Sequence, residues 1–288
     1  MKELWIAGGI VLFVAVCALF VYFRGRILKI VPYTVTIPNL PKSFDGYRFA
    51  VISDLHDRVF GAKNKILVEK ILKEMPDAVL CAGDMHEGPH SPEPFYDLLA
   101  GLAQQVPTYY TEGNHDMRDK RCRVTLEEYE EHMRRICETG TVSLNDCSVV
   151  LERNGQSVLL AGQSWRGMRQ GRVPDFDPTI PSVMVCHDPL QFDHLDPLPD
   201  LLISGHVHGG ILRLPFIGAV FAPGNGAPLY KRFGPRYFFP KYSRGLYQKG
   251  TKTLAVTQGL GFAILPIRLI PPEIMIIQLK SGKIRNDL

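Results

Sequence analysis

The 288-residue chain holds only six cysteines, and no two of them make a C-x-x-C pair. Cys17 lies in an apolar N-terminal run, which leaves Cys81, Cys122, Cys137, Cys147 and Cys186 scattered singly. An odd remainder excludes a full disulfide framework, and the missing C-x-x-C excludes the common thiolate zinc sites. Cys81 and Cys186 stand in apolar stretches and are expected to be core fillers, which favours a reducing compartment. An excess of charge of either sign is lacking too: 33 basic against 29 acidic residues give +4. That balance excludes a polycationic nucleic-acid surface, and no basic stripe with stacking platforms follows a single strand. No nucleic-acid partner is expected. There is no nucleophile elbow to serve a serine or cysteine hydrolase, no internal repeat and no low-complexity tract.

One stretch lacks charge altogether. Leu4 to Phe23 (LWIAGGIVLFVAVCALFVYF) is as long as the ~20 residues with which a helix crosses a bilayer. Trp5 and Tyr22 suit its two interfaces, and Arg24, Arg26 and Lys29 follow on the C-terminal side, so the positive-inside rule puts the rest of the chain in the cytoplasm. A cleaved signal peptide fits less well, because the n-region is Lys2 beside Glu3 and no small-x-small site follows. The expected organisation is a transmembrane anchor over residues 1–28 and one domain over 29–288, with the protein single-pass in the cell membrane.

Beyond a Pro-containing edge strand and turn (31–47), short apolar runs end abruptly in polar residues. RFAVISDLHD (48–57), DAVLCAGDMHEG (77–88), TYYTEGNHD (108–116), SVMVCHDP (182–189) and LLISGHVHGG (201–210) share this form. Such runs suit strands buried on both faces. Helical spacing lies between the first three, over 63–74 and 94–104, and again after the third, over 125–137, which opens with a capping-box pair, Thr125 and Glu128. Strand, helix, strand at this spacing predicts an α/β layered domain. From residue 141 short β runs take over, with Asn154-Gly155 marking a hairpin, which predicts a second sheet. Residues 211–250 read as an ordered loop region, and TLAVTQG and EIMIIQL as closing strands.

Ligands of open α/β sheets gather at the carboxyl ends of strands. Five strand ends here deliver Asp54 and His56, then Asp84, then Asn114 and His115, then His187, and finally His206 with His208. Carboxylates, imidazoles and one carboxamide hold first-row divalent metals rather than thiophilic ones. Arg58 and His86 follow two of these ends and read as solvated loop residues, with a phosphate contact as the alternative. The aromatic cluster Tyr230, Phe233, Tyr237, Phe238, Phe239 and Tyr242, interleaved with cations, suits either an interfacial loop over anionic lipid or a cover over the core.

In order, these segments spell D-x-H (54–56), G-D-x-x-E (83–87), G-N-H-D (113–116), a single His187 and G-H-x-H (205–208). The chain thereby resembles the calcineurin-like metallophosphoesterase superfamily. The segment GLGFAILPIRLIPPEIMIIQL (259–279) is similar to its membrane-associated bacterial branch. The resemblance implies a four-layer α-β-β-α sandwich and two divalent cations, with Mn, Fe and Zn all compatible. Asp54, His56 and His208 would ligate one, Asn114, His187 and His206 the other, and Asp84 would bridge both. It also implies attack on phosphorus by a hydroxide shared between cations ~3.5–4 Å apart, with His115 as general acid oriented by Glu87. The substrate would carry a phosphodiester, phosphomonoester or pyrophosphate. A lipid-linked one, such as a UDP-diacylglucosamine-type precursor, is favoured by the anchor. Soluble phosphodiesters, a nuclease substrate, or a non-catalytic binding module on the same fold are the alternatives.

Overall fold

Runs of four or five consecutive apolar residues become strands covered on both faces. In the computed structural model of the chain, β2 (Arg48–Ile52), β3 (Ala78–Ala82), β8 (Ser182–Cys186) and β9 (Leu201–Ser204) are buried almost throughout. The structure describes residues 25–87, 93–116, 125–177, 179–214, 216–222, 238–261 and 270–282, with nine scattered positions between 5 and 23. Two six-stranded sheets form. The first runs β1 (Lys29–Ile37), β14 (Glu273–Ser281), β2, β3, β4 (Thr108–Thr111), β5 (Val142–Ser143). The second runs β12 (Gly245–Lys249), β13 (Lys252–Val256), β9, β8, β7 (Gln156–Gln163), β6 (Cys147–Arg153). The edge position expected for the segment after residue 30 is where β1 lies, paired with β14 alone.

The two-residue period of a strand sorts the side chains between layers. Phe49, Val51, Leu80, Met275 and Ile277 of the first sheet meet Val158, Leu160, Val183, Val185, Leu201 and Ile203 of the second in one core. The alternate residues Ala50, Ile52, Val79, Cys81, Ile274 and Ile276 face outward onto three helices. These are Lys65–Leu72, Glu93–Ala103 and Leu126–Glu138. The third carries the expected capping box, Thr125 accepting from the Glu128 amide while the Glu128 carboxylate accepts from the Thr125 amide. The hairpin at Asn154-Gly155 also forms, with Arg153 opposite Gln156 and positive φ at both turn residues.

The sandwich departs from four full layers on one side. The outer face of the second sheet, with Met184, Cys186, Leu202 and Leu254, is covered by Phe192, Leu195, Val207 and Tyr242. The covering elements are a five-residue helix, Trp165–Arg169, a 3-10 turn, Pro189–Asp193, and irregular chain. Proline explains the difference. Pro189, Pro197 and Pro199 interrupt the β8 to β9 connection and Pro174 and Pro181 the one before it, and proline breaks a helix interior.

Among the described residues no helix is long and apolar enough to cross a membrane. Most of the expected span at 4–23 lies outside them. Trp5, Leu12, Phe13, Val16, Leu19 and Phe23 within it are helical with exposed side chains. Tyr230, Phe233, Tyr237, Cys17 and Cys122 also fall outside the described residues. Of the described part of the aromatic cluster, Tyr242 is buried while Phe238 and Phe239 are exposed.

Candidate metal centre

The parallel strands of both sheets end on one edge, and their following loops bring the predicted residues together. Asp54, His56 and His208 offer ligand atoms within 4.8 Å of one another, and so do Asp84, His187 and His206. Each trio mixes sheets: Asp54, His56 and Asp84 follow β2 and β3, while His187, His206 and His208 follow β8 and β9. His56 Nε2 lies 3.2 Å from His208 Nε2, and His208 Nε2 lies 3.3 Å from Asp54 Oδ1. His187 Nε2 is 3.0 Å from Asp84 Oδ2 and 3.9 Å from Asp54 Oδ1, so the trios adjoin.

The backbone bends sharply to achieve this. Asp54, His56, Asp84, His206 and His208 all have φ between 48° and 72°. Non-glycine residues rarely enter that region, and they cluster there at functional sites where surrounding structure over-determines them. Here the surroundings are backbone bonds: the amides of Asp54 and His56 donate to the carbonyls of Gly83 and Asp84, and the His206 amide donates to the Asp54 carboxylate. Gly205 is needed for close approach, because a Cβ there would stand 2.5 Å from Asp54 Oδ2.

The residues fit a pair of hard-to-borderline divalent cations. Buried carboxylates and imidazole nitrogens converge, and the buried Asn114 Oδ1 has no hydrogen-bond partner among the described residues. His187 donates Nδ1–H to the Ala82 carbonyl at 2.7 Å, which fixes the tautomer and frees Nε2 for the cluster. Burial would by itself neutralise Asp84, but the neighbouring His187 overrides it and holds the carboxyl well below the usual range. The histidine is correspondingly raised against its own burial. Such an ion pair occupies the donors until a cation displaces the proton.

Glu87 ties the trios to a fifth imidazole, that of His115. Its Oε1 is 2.5 Å from His56 Nδ1 and its Oε2 3.1 Å from His115 Nδ1. Burial alone would raise this carboxyl, but the bonds from His115 and His56 hold it far below the carboxylate range. The His115 side chain is 24 % exposed, against 4 % for His56, so it stands at the solvent side of the cluster.

Two residues were placed differently by sequence reasoning. Arg58 is no solvated loop residue: its guanidinium donates to the carbonyls of Leu260 at 2.8 Å and Gly25 at 2.6 Å. His86 is fully buried, its Nε2 2.9 Å from His132 Nε2, whose Nδ1 is 2.6 Å from the Tyr96 hydroxyl. Neither arrangement aims at a phosphate. Burial, then His86, then Arg135 push His132 down to about 3 from 6.5. A base depressed on folding binds fewer protons than in the unfolded chain, so its stabilisation is present above pH 6.5 and lost as pH falls towards 3. We expect the parent to lose up to about 4 kcal/mol over that window from this group. A His132→Gln variant, weaker at neutral pH, should show a flatter acid limb in urea unfolding. Equal slopes would remove His132 as the source.

Trp165 went unnoticed in the sequence. It follows β7, a parallel strand whose end carries no metal-competent side chain, and its half-buried ring lies 5.4 Å from His206 and 6.1 Å from His187, centroid to centroid. Only the regular spacing of strand ends could have pointed to it.

The description calcineurin-like phosphoesterase matches residues 47–210. The uncharacterized metallophosphoesterase YkuE of Bacillus subtilis is 26% identical over 269 residues, covering 90% of this chain and 88% of that protein. The phosphodiesterase YaeI of Escherichia coli is 27% identical over 241 residues, 81% of this chain and 82% of that protein. UDP-2,3-diacylglucosamine pyrophosphatase LpxG of Chlamydia trachomatis is 32% identical over 109 residues, 36% of this chain and 30% of that protein. The matched region includes every loop that carries a converging side chain, and the chain belongs to the calcineurin-like phosphoesterase family of metal-dependent hydrolases.

Proposed function

We propose that the chain is a membrane-anchored phosphodiesterase acting on a lipid-linked phosphate or pyrophosphate, with two divalent cations (Mn, Fe or Zn). Asp54, His56 and His208 would hold one cation and Asn114, His187 and His206 the other, with Asp84 available to both. The observation that carries this assignment is the pair of adjoining trios with a partly exposed imidazole, His115, linked to them through Glu87. When bound, the cations polarise the phosphoryl oxygens and acidify water for attack on phosphorus.

The chain's own groups do the rest. Glu87, held ionised, keeps a proton on His115 Nδ1 and orients the ring, which leaves Nε2 to protonate the departing oxygen. Asn114 offers a neutral oxygen, which limits negative charge beside an anionic substrate. Trp165 walls the side nearest His187 and His206.

Replacing His115 by Ala should lower turnover of a bis-aryl phosphate by about 10²–10⁴-fold while both cations stay bound by elemental analysis. The loss should grow as the leaving group becomes more basic. Unchanged turnover would remove His115 as the acid.

Two observations support lipid and membrane: the uncharged run Leu4–Phe23 with Arg24, Arg26 and Lys29 beyond it, and similarity to a pyrophosphatase whose name gives UDP-2,3-diacylglucosamine as its substrate. By the positive-inside rule the same charges favour a domain, residues 29–288, on the cytoplasmic side of the cell membrane. The test is to incubate membranes carrying the active protein or its Asp84→Ala variant with total lipid extract, and to identify by mass the phosphate-bearing lipids consumed. Consumption of soluble diesters alone would overturn the lipid assignment.

A further inference from the structure

Apolar side chains stand exposed on two separate elements of the metal-bearing edge. The first is where the N-terminal segment joins the domain. Arg58, four residues beyond Asp54, clasps the Gly25 carbonyl and the Leu260 carbonyl together, and Leu260 in turn bonds the residue before Asp54. Ile27, Val59 and Ile66, near this clasp in the chain, are 51–57 % exposed. The uncharged run therefore ends within a few residues of the loop that carries Asp54 and His56.

The second element is the hairpin of β10 (Leu212–Leu214) and β11 (Gly218–Phe221), which follows His208 directly. Its tip residues Phe216 and Ile217 project into solvent, Leu214 is exposed beside them, and so are Phe238 and Phe239. The Phe239 amide bonds the Val220 carbonyl, so these last two extend the hairpin. Single exposed apolar residues are ordinary, whereas five on one small hairpin mark a contact surface. The base of the hairpin is firmly tied: Arg213 donates to the carbonyl of Gly209, next to His208, and to Ser243. Phe216 is moreover held at φ 66°, an uncommon conformation for a bulky residue.

We infer that the Phe216–Ile217 tip, with Phe238 and Phe239, inserts into the interface of an anionic lipid bilayer as a second membrane contact. The inference rests on the membrane-anchored phosphodiesterase proposed above. A bilayer is the occupant because the N-terminal run leaves the domain on this same edge, and because exposed Arg26, beside Ile27, and exposed Arg244, next to the Ser243 that anchors the hairpin base, accompany the apolar groups, a pairing that suits anionic headgroups. With contacts on both elements, the metal-bearing edge faces the membrane, and headgroup phosphates reach the trios without leaving the bilayer.

The test uses the full-length protein in phosphatidylcholine and phosphatidylglycerol vesicles, with and without bromine at shallow acyl positions, since interfacial insertion reaches only ~5–10 Å. Phe216→Trp is compared with Val150→Trp, at an exposed site on the outer strand β6, after subtraction of the parent's fluorescence. The added indole at 216 should be strongly quenched by bromolipid and the one at 150 spared. Equal quenching, or an emission shift at 216 that follows protein concentration rather than bromolipid, as a second copy of the chain would give, overturns the inference. In parallel, the double variant Phe216→Ser/Ile217→Ser should cleave a soluble aryl phosphodiester at the parent rate, yet lose about tenfold on a diester carried by vesicle lipid. An equal fall on both substrates counts against the contact. If the parent cleaves neither substrate, the phosphodiesterase assignment fails, while the quenching result still decides the contact.

Discussion

Replacing Asp116 by Ala should destabilise the fold by about 3–5 kcal/mol and abolish turnover, because one buried carboxylate organises two site loops at once. Asp116 Oδ1 accepts the amides of Met85 at 2.7 Å and His86 at 3.1 Å, and Oδ2 accepts those of Asp84 at 2.8 Å and Gly113 at 2.7 Å. The side chain is fully buried. Alanine would orphan four N–H groups in the two loops that carry Asp84, Asn114 and His115. Each costs about 1–3 kcal/mol if left dry, and water entry offsets part of the sum. Asparagine is no mild substitute, since its amide would turn donors against donors. Urea unfolding and metal content check this together. Stability within about 1 kcal/mol of the parent, with both metals retained, would show that the four bonds carry little.

Gly113→Ala should be comparably damaging to the site through sterics alone. A Cβ at 113 would lie 2.3 Å from Asp84 Oδ1 and 2.5 Å from the Asp84 amide nitrogen. That nitrogen is pinned by Asp116, so the clash has no flexible side chain to yield. Overpacking of this kind costs about 1–3 kcal/mol, and the displacement falls on Asp84, the carboxylate of the trio with His187 and His206. Turnover should drop by about 10²-fold or more, as for a misplacement near 1 Å. Gly155→Ala is the comparison: φ is 72° but nothing lies within 4 Å, so only about 1–2 kcal/mol of left-handed strain is expected, with activity intact. Normal metal content and rate in Gly113→Ala would sink the steric account.

The strand ends of β2, β3, β4, β8 and β9 were legible in the sequence because each of these parallel strands stops where its apolar run stops, and the residues that follow are of metal-binding type. Asp54, His56, Asp84, Asn114, His115, His187, His206 and His208 are all found on one edge for that reason. Glu87 was found through its motif, although its second bond, to His56, needed coordinates. Asp116 closed a motif without a role, because gathering four backbone amides leaves no trace in side-chain patterning. The His86, His132 and Tyr96 network joins three elements that no local period connects. The position of β14 was equally hidden. Its apolar pattern fits either neighbour, and only the fold shows it wedged between β1 and β2, parallel to one and antiparallel to the other.

Because each trio draws on both sheets, a cation bound there is also a mechanical cross-link. The ion at Asp54, His56 and His208 would join chain positions 152 residues apart, and the other would tie β3 to β8 and β9. Prising the sandwich open along its central plane then requires the ions to leave. Resistance to unfolding should therefore rise with free metal as the logarithm of its concentration over the dissociation constant. Chelation would remove that cross-link and leave the sheets joined by their shared apolar core.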